Sequence, residues 1–429
     1  MISLEPPAET ILFEQKKDGT TYRIPALLHL PASGTLLAFA EERRSPADLD
    51  ANVLVMRRGE LSRNRVEWGA MEVVRSALLS GHRSMNPCPV YDGSTGTIFL
   101  FFIAIPSKVS EAHQLQTGDN VTRFCCVSSS DQGHHWNGPR DLTEATLGSC
   151  LRDWATFGLG PGHGIQLRCG RLLLPAYAYR IDAKDCFGRR CKTSPHSFAF
   201  YSDDHGQRWQ AGELLSGPQT VECQLVSLDE GPGEAAVYCN ARTPGTCRVQ
   251  ALSLHRGAAF QEGLPVPKLL ETQGGCHGSM VGFPGLVSGR AKESGTSDRS
   301  SSPELPPGLP AATWALFCHP TNPTARLHLG LYLSASPPDP HAWSEPWVIH
   351  RGPSAYSDLA YVEPGAVGQE SHPSPAVFAC LYECGAVTPH ETIAFSLLTV
   401  QEVMDNIPHS PGGSQDLSTA ARTACCCVT

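Results

Sequence analysis

Ser129-Ser130-Asp131-Gln132-Gly133-His134-His135-Trp136 and Ser202-Asp203-Asp204-His205-Gly206-Gln207-Arg208-Trp209 are two copies of one octapeptide, S-x-D-x-G-x-x-W. The form predicts a tight turn. The aspartate can accept from backbone N–H groups within it, the glycine can take φ > 0, and the tryptophan can pack the hairpin onto a neighbour. A weaker copy runs from Ser253 through Gly257 to Phe260, with His255 where Asp would stand. Around Trp343-Ser344-Glu345-Pro346 only the tail survives, echoing Trp136-Asn137-Gly138-Pro139.

A second repeat is interleaved with the first. A turn ending in Gly followed by an apolar run appears as Gly34-Thr35-Leu36-Leu37-Ala38-Phe39, Gly96-Thr97-Ile98-Phe99-Leu100-Phe101 and Gly170-Arg171-Leu172-Leu173-Leu174. Continuous apolar runs between turns suit strands buried on both faces. Two interleaved repeats at intervals of about 50–75 residues point to radially arranged four-stranded blades, an all-β propeller. Dividing the 429 residues by that interval predicts six blades. A β-sandwich with chance octapeptide matches is the alternative. The 40 glycines and 35 prolines agree with many short strands joined by turns.

The propeller is expected over residues 1–407, interrupted at 287–311 by a Ser/Pro-rich, charged stretch that reads as a disordered insertion. Residues 408–429 read as a flexible tail ending in Cys425-Cys426-Cys427-Val428-Thr429. A net charge of −9 argues against nucleic acid as a partner, while leaving room for a local cationic pocket. The 17 cysteines are odd in number and irregularly spaced, and several (Cys125, Cys126, Cys239, Cys380) lie inside apolar runs. With no secretory h-region visible in Met1–Lys17, most are expected to be reduced, buried thiols of an intracellular protein. No stretch approaches the roughly 18 apolar residues of a membrane span.

In a propeller the inner strands converge on an axis, so a pocket collects single residues from many blades. Charged and phenolic side chains recur where apolar runs end: Glu41, Arg43 and Asp48, then Tyr177 and Tyr179, then Arg242, then Glu383. Their repetition suggests a polar pocket lining.

Thr21-Tyr22-Arg23-Ile24-Pro25 resembles the (F/Y)RIP motif of sialidases, and the octapeptides resemble that family's Asp boxes. The strings FAEER (39–43), HRSMNPCP (82–89), WATFGLGPGHGIQL (154–167), PAYAYR (175–180), VECQ (221–224), NAR (240–242), YSDLA (356–360) and CLYE (380–383) look like those of animal non-secreted exo-α-sialidases. The resemblance covers nearly the whole chain apart from the insertion and the tail. It implies removal of terminal, α-ketosidically linked sialic acid from gangliosides, glycoproteins and oligosaccharides, with retention of configuration.

The resemblance also implies roles. Arg23, Arg242 and Arg326 match a triad that binds the substrate carboxylate, a task suited to a permanently charged, two-pronged guanidinium. Glu383 matches the residue that orients Arg23. Tyr356 matches the nucleophile and Glu222 its base. Tyrosine is a recognised exception among retaining glycosidases, and a neutral phenol escapes the repulsion an anion would meet at a carbon bearing a carboxylate. With an ordinary pKa near 10, the phenol needs a base. Asp48 matches the general acid/base, with Asp50 as its rival. Arg43, Asn86, Glu111, Tyr177 and Tyr179 match residues that contact the sugar's N-acyl and glycerol groups.

No metal or organic cofactor is called for, and the scattered His and Cys lack ligand spacing. The tail cysteines form a candidate lipidation site, so peripheral membrane attachment is expected. The resemblance implies plasma-membrane, endoplasmic-reticulum, mitochondrial or lysosomal location. A sialic-acid-binding propeller without turnover and a trans-sialidase are the competing functions.

Overall fold

The computed structural model describes residues 7–62, 65–185, 191–228, 236–285, 312–363 and 375–408. The predicted insertion and all but the first residue of the predicted tail lie outside them.

Antiparallel strands follow one another in meanders. The first blade is built from Thr21–Leu30, Thr35–Arg43, Ala51–Ser62 and Arg65–Trp68. The second takes His82–Asp92, Thr97–Pro106, Arg123–Ser129 and Arg140–Asp141. The third takes Trp154–Leu159, Leu172–Lys184, Cys191–Ser202 and Gln210–Ala211. The fourth takes Cys223–Leu228, Ala236–Ala241, Cys247–Ser253 and Leu264–Leu270.

The remaining strands form one seven-stranded sheet, so among the described residues hydrogen bonding alone defines five sheets and not six separate ones. The fusion has a local cause. Strand Trp347–Val362 is 16 residues long; its first half pairs with Leu327–Ser334 and its second half with Val377–Cys384. It thus ends one four-stranded unit, with Ser279–Pro284 and Thr313–Pro320, and begins another, with Thr392–Thr399 and the N-terminal strand Thr10–Glu14. Counted as four-stranded units, the blades are six.

The inner strands touch in cyclic order, and the ring closes where Trp347–Val362 meets Thr21–Leu30. Apolar clusters lie between neighbouring units, for example Leu37, Phe39, Leu100 and Phe102 between the first two, and Leu27, Ala38, Leu381 and Phe395 across the closure. This explains the apolar runs: the strands that carry them, such as Thr35–Arg43, Thr97–Pro106 and Val377–Cys384, are covered on both faces by adjacent blades.

The octapeptides are the outer corners. Ser129 and Ser202 hydroxyls accept from the N–H of Gly133 (2.8 Å) and Gly206 (2.9 Å), and Asp131 and Asp204 accept from the N–H four residues on (2.9 and 2.8 Å). Gly133, Gly206 and Gly257 all have φ near +80°, and a Cβ there would press on Leu37, Phe99 and Leu173 of the preceding blade. The third copy keeps the Ser253–Gly257 bond (2.9 Å) although His255 replaces Asp. The tryptophans also lean back one blade: Trp209 meets Phe101 edge-on at 4.6 Å, Trp136 meets Phe39 at 6.1 Å, and Trp343 meets Tyr238 at 6.4 Å.

The 13 described cysteines are all free, nine of them buried. Among the described residues no helix is long and apolar enough to cross a membrane.

Candidate active site

At one end of the inner strands a cavity of about 520 Å³ draws its lining from every blade. Irregularities in the strands aim the side chains into it. Between Arg23 and Ala26 the register slips, and β-branched Ile24 sits at φ +59°, a strained conformation that its surroundings must hold. Glu383 does so: its Oε1 accepts from the Ile24 N–H (2.9 Å) and Arg23 Nε (2.9 Å). Its Oε2 accepts from the second Arg23 prong (3.2 Å) and the Tyr356 N–H (3.2 Å). Burial would raise the Glu383 pKa, but Arg23 holds it below the usual carboxylate range. One buried carboxylate therefore orients an arginine and two stretches of backbone.

Asn86 repeats the device at φ +55°, beside another register slip, with its N–H donating to Glu41 at 2.7 Å. In both places a proline follows (Pro25, Pro87), which has no N–H for the ladder. Glu41 is fully buried and also accepts from Arg43 (2.6 Å). The other side of Arg43 donates to Asp48 at 2.6 Å. The Asp48 side chain remains 65% exposed to the pocket mouth. Desolvation would raise its pKa, but Arg43, then Arg23 and Arg83, keep it low, so Asp48 is ionised in the free protein. Asp50 instead pairs with Ser45 (2.6 Å) outside the pocket lining.

Across the cavity the Tyr356 hydroxyl donates to Glu222 at 2.6 Å and accepts from Arg242 at 3.1 Å. Arg242 also donates to Glu222 at 2.7 Å. Arg23 and Arg326 stand over the Tyr356 ring at 5.5 and 5.4 Å. Burial and then the Glu222 charge push the phenol well above its ordinary pKa, against the pull of Arg242 and Arg326, so it is neutral at rest. Carbonyls brace the arginines: Gly274 accepts from Arg242 (2.6 Å) and Gly275 from Arg326 (2.8 Å). Any Cβ at Gly275 would collide with Arg242.

Tyr177 and Tyr179 form an edge-to-face pair at 6.1 Å, with room for the Tyr177 ring supplied by Gly158. Glu111 opens the helix Glu111–Thr117 and lines the cavity at its solvent-exposed edge. Desolvation by the pocket walls, then the charges of Asp48 and Glu222, push its pKa up to about 7.

The structure thus brings Arg23, Arg43, Asp48, Asn86, Glu111, Tyr177, Tyr179, Glu222, Arg242, Arg326 and Tyr356 to one cavity, with Glu383 behind Arg23. Sequence reading assigned no role to Arg83, a lining residue whose guanidinium donates to the Pro106 and Val109 carbonyls (2.9 and 2.7 Å). The one available signal was its place in HRSMNP, next to Asn86. The bracing role of Glu41 and the fully buried Asp358, which accepts from Leu27 N–H and His163 (2.7 and 2.8 Å), were missed as well.

A second cavity of about 680 Å³, lined by Leu27, His163, Leu225 and Leu359, lies toward the other end of the same inner strands and holds none of these groups. Glu9, His350 and Cys384 bring ligand-type atoms within 4.8 Å of one another, away from the pocket. The His350–Glu9 pair (2.7 Å) and the Tyr382–Glu9 bond (2.8 Å) account for that cluster.

Fold and site define a propeller of the BNR repeat-like class, whose family profile matches residues 34–368. Human sialidase-4 is 45% identical, covering 94% of this chain and 96% of its own length. Mouse sialidase-2 is 46% identical, covering 90% and 94%. A solved microbial sialidase, Hz136, superposes with a TM-score of 0.69 at 20% identity, over 92% of this chain and 68% of that one. The chain belongs to the sialidase family, and is a glycoside hydrolase.

Proposed function

We propose that the chain is an exo-α-sialidase that works by double displacement, with Tyr356 as nucleophile. The observation that carries this is the 2.6 Å bond from the Tyr356 hydroxyl to Glu222, beneath three converging arginines. Arg23, Arg242 and Arg326 line the pocket and supply the cations that the substrate carboxylate requires.

Asp48 enters the reaction protonated. The substrate carboxylate brings negative charge to the arginines that keep Asp48 ionised, which raises its proton affinity. Tyr356 oxygen bonds to the anomeric carbon while its proton passes to Glu222. The glycosidic bond breaks, and Asp48 gives its proton to the leaving oxygen. Water then attacks the same carbon and loses a proton to Asp48. The tyrosyl bond breaks, and Glu222 returns the proton to the phenolate. Two inversions give net retention.

Release of 4-methylumbelliferone from its α-sialoside, with the first-formed anomer followed by proton NMR, tests the reading. The α-anomer is expected first. No release, or the β-anomer first, overturns it. Added lactose checks for transfer: sialyllactose as the main product would favour a trans-sialidase, and binding without turnover a lectin-like propeller.

Sialylated glycolipids, glycoproteins and oligosaccharides are the proposed substrates, on the strength of the family. Peripheral attachment to a plasma, endoplasmic-reticulum or mitochondrial membrane, or residence in the lysosome, is proposed from the same resemblance and from the Cys425-Cys426-Cys427 cluster. Loss of membrane-fraction activity in a triple Cys→Ser variant of the tail is the expected result.

A further inference from the structure

Behind Arg23 stands a carboxylate, Glu383. Behind Arg242 and Arg326 stand two successive carbonyls, Gly274 (2.6 Å) and Gly275 (2.8 Å), on the connection from the fourth blade to strand Ser279–Pro284. Both glycines take the left-handed backbone, at φ +77° and +72°. A glycine pair has more conformational freedom than any other and does not hold its carbonyls in place by itself.

The anchor is Glu271. Its Oε1 accepts from the N–H of Thr272 (3.2 Å) and of Cys276 (3.0 Å), on either side of the glycine pair. Its Oε2 accepts from the N–H of Thr243 (3.3 Å), the residue after Arg242. Arg248 Nη1 donates both to Glu271 Oε2 (3.0 Å) and to the Cys276 carbonyl (2.8 Å), while its Nε donates to Asn240 (2.8 Å). The His319 ring spans Glu271 Oε1 (3.0 Å) and the Pro320 carbonyl (2.7 Å). Glu271, Arg248 and His319 are buried, and none of them lines the pocket. Burial would raise the Glu271 pKa, but Arg248 and then His319 bring it down to about 2, so the carboxylate is ionised at neutral and mildly acidic pH.

We propose that Glu271 is a positioning residue for recognition of the substrate carboxylate: it fixes the Gly274 and Gly275 carbonyls, and through them Arg242 and Arg326, without touching the substrate. The inference rests on the sialidase reading of the pocket and deepens it. Removing the Glu271 charge leaves Arg248 buried without its counter-charge and strips backbone N–H groups of their acceptor, so the glycine turn gives way and the two arginines lose their backing. The loss falls on a ligand that presents a carboxylate, and spares one whose carboxylate is masked as an ester.

The test measures dissociation constants by calorimetry for 2,3-didehydro-2-deoxy-N-acetylneuraminic acid and for its methyl ester, in wild type, Glu271→Gln and His319→Gln. Wild type should bind the free acid more tightly than the ester. That preference is expected to shrink about 10-fold in Glu271→Gln and about 3-fold in His319→Gln, with ester binding changed by no more than about 2-fold. His319→Gln keeps the Arg248–Glu271 pair, and it carries the test where Glu271→Gln does not fold. An unchanged preference in the folded variants overturns the proposal. Equal weakening of acid and ester also overturns it, because it assigns Glu271 to blade structure alone. In either case a wild type that releases sialic acid and prefers the free acid leaves the sialidase reading standing. A wild type that does neither removes that reading, and the role of Glu271 with it.

Discussion

Asp204 at an outer corner and Glu222 at the inner pocket are both short-bonded carboxylates, and they are held in opposite ways. Asp204 takes its partners from within four residues: the Ser202 hydroxyl and the backbone and side chain of Arg208. Against the cost of partial burial, Arg208 and the turn N–H groups bring its pKa down to about 2. Glu222 takes its partners from Arg242, 20 residues away, and Tyr356, 134 away. Local satisfaction makes a rigid corner that any blade can reuse. Satisfaction by distant groups makes a charge balance that a ligand can disturb, which is what chemistry needs.

The comparison breaks first at Tyr356. Tyr356→Phe is expected to lower kcat on a sialoside by about 10³-fold or more with Tm nearly unchanged, since only the nucleophilic oxygen goes. A loss below about 10-fold would return Tyr356 to the role of a packed ring.

Glu383→Ala should cost both activity and stability. It leaves Arg23 buried without its counter-charge, a penalty of about 3 kcal/mol, and frees the strained Ile24 turn. A drop of about 10²-fold in kcat/KM, together with a lower urea midpoint, is the expected pairing.

Glu111 sharpens the contrast through pH. With a pKa of about 7 it is neutral in mild acid and anionic above, where it repels a substrate carboxylate. Wild-type kcat/KM should therefore decline as pH passes about 7, and Glu111→Gln should restore about 2–5-fold at pH 8 while changing little at pH 5. An unaltered alkaline limb would remove Glu111 from that role.

The smallest effects belong to the corners. Asp204→Ala should cost about 1 kcal/mol and leave kcat/KM intact. The folded pKa lies below the ordinary 3.8, so that stabilisation is present above pH 4 and is lost as pH falls toward 2. The difference in denaturation midpoint between variant and wild type should close over that range. His255→Asp, restoring the third corner, should gain about 0.5 kcal/mol.

Blade repeats and corner octapeptides were legible because their determinants are local: Ser, Asp and Gly within five residues, and runs whose period needs no partner. The fusion of the last two units was not, because nothing in Trp347–Val362 marks where its pairing changes from one neighbour to the other. Motif resemblance pointed to Arg23, Glu222 and Tyr356, and their convergence was inferred from the propeller. Glu41 was picked out as a pocket-lining candidate, but its bracing of Asn86 and Arg43 escaped, as did the hold of Arg83 on strand-end carbonyls, because such tasks show only in contacts.

The sequence by itself determined an all-β repeat fold, the blade interval and the residue types on which sialidase chemistry depends. Only the tertiary structure decided which carboxylate is bound to which cation, that Asp48 and not Asp50 reaches the pocket, and that Asp48 rests ionised while Tyr356 rests neutral. The physical reason is range. Turns and buried strands are set by neighbours a few residues apart, whereas protonation depends on charges and burial supplied by segments hundreds of residues apart.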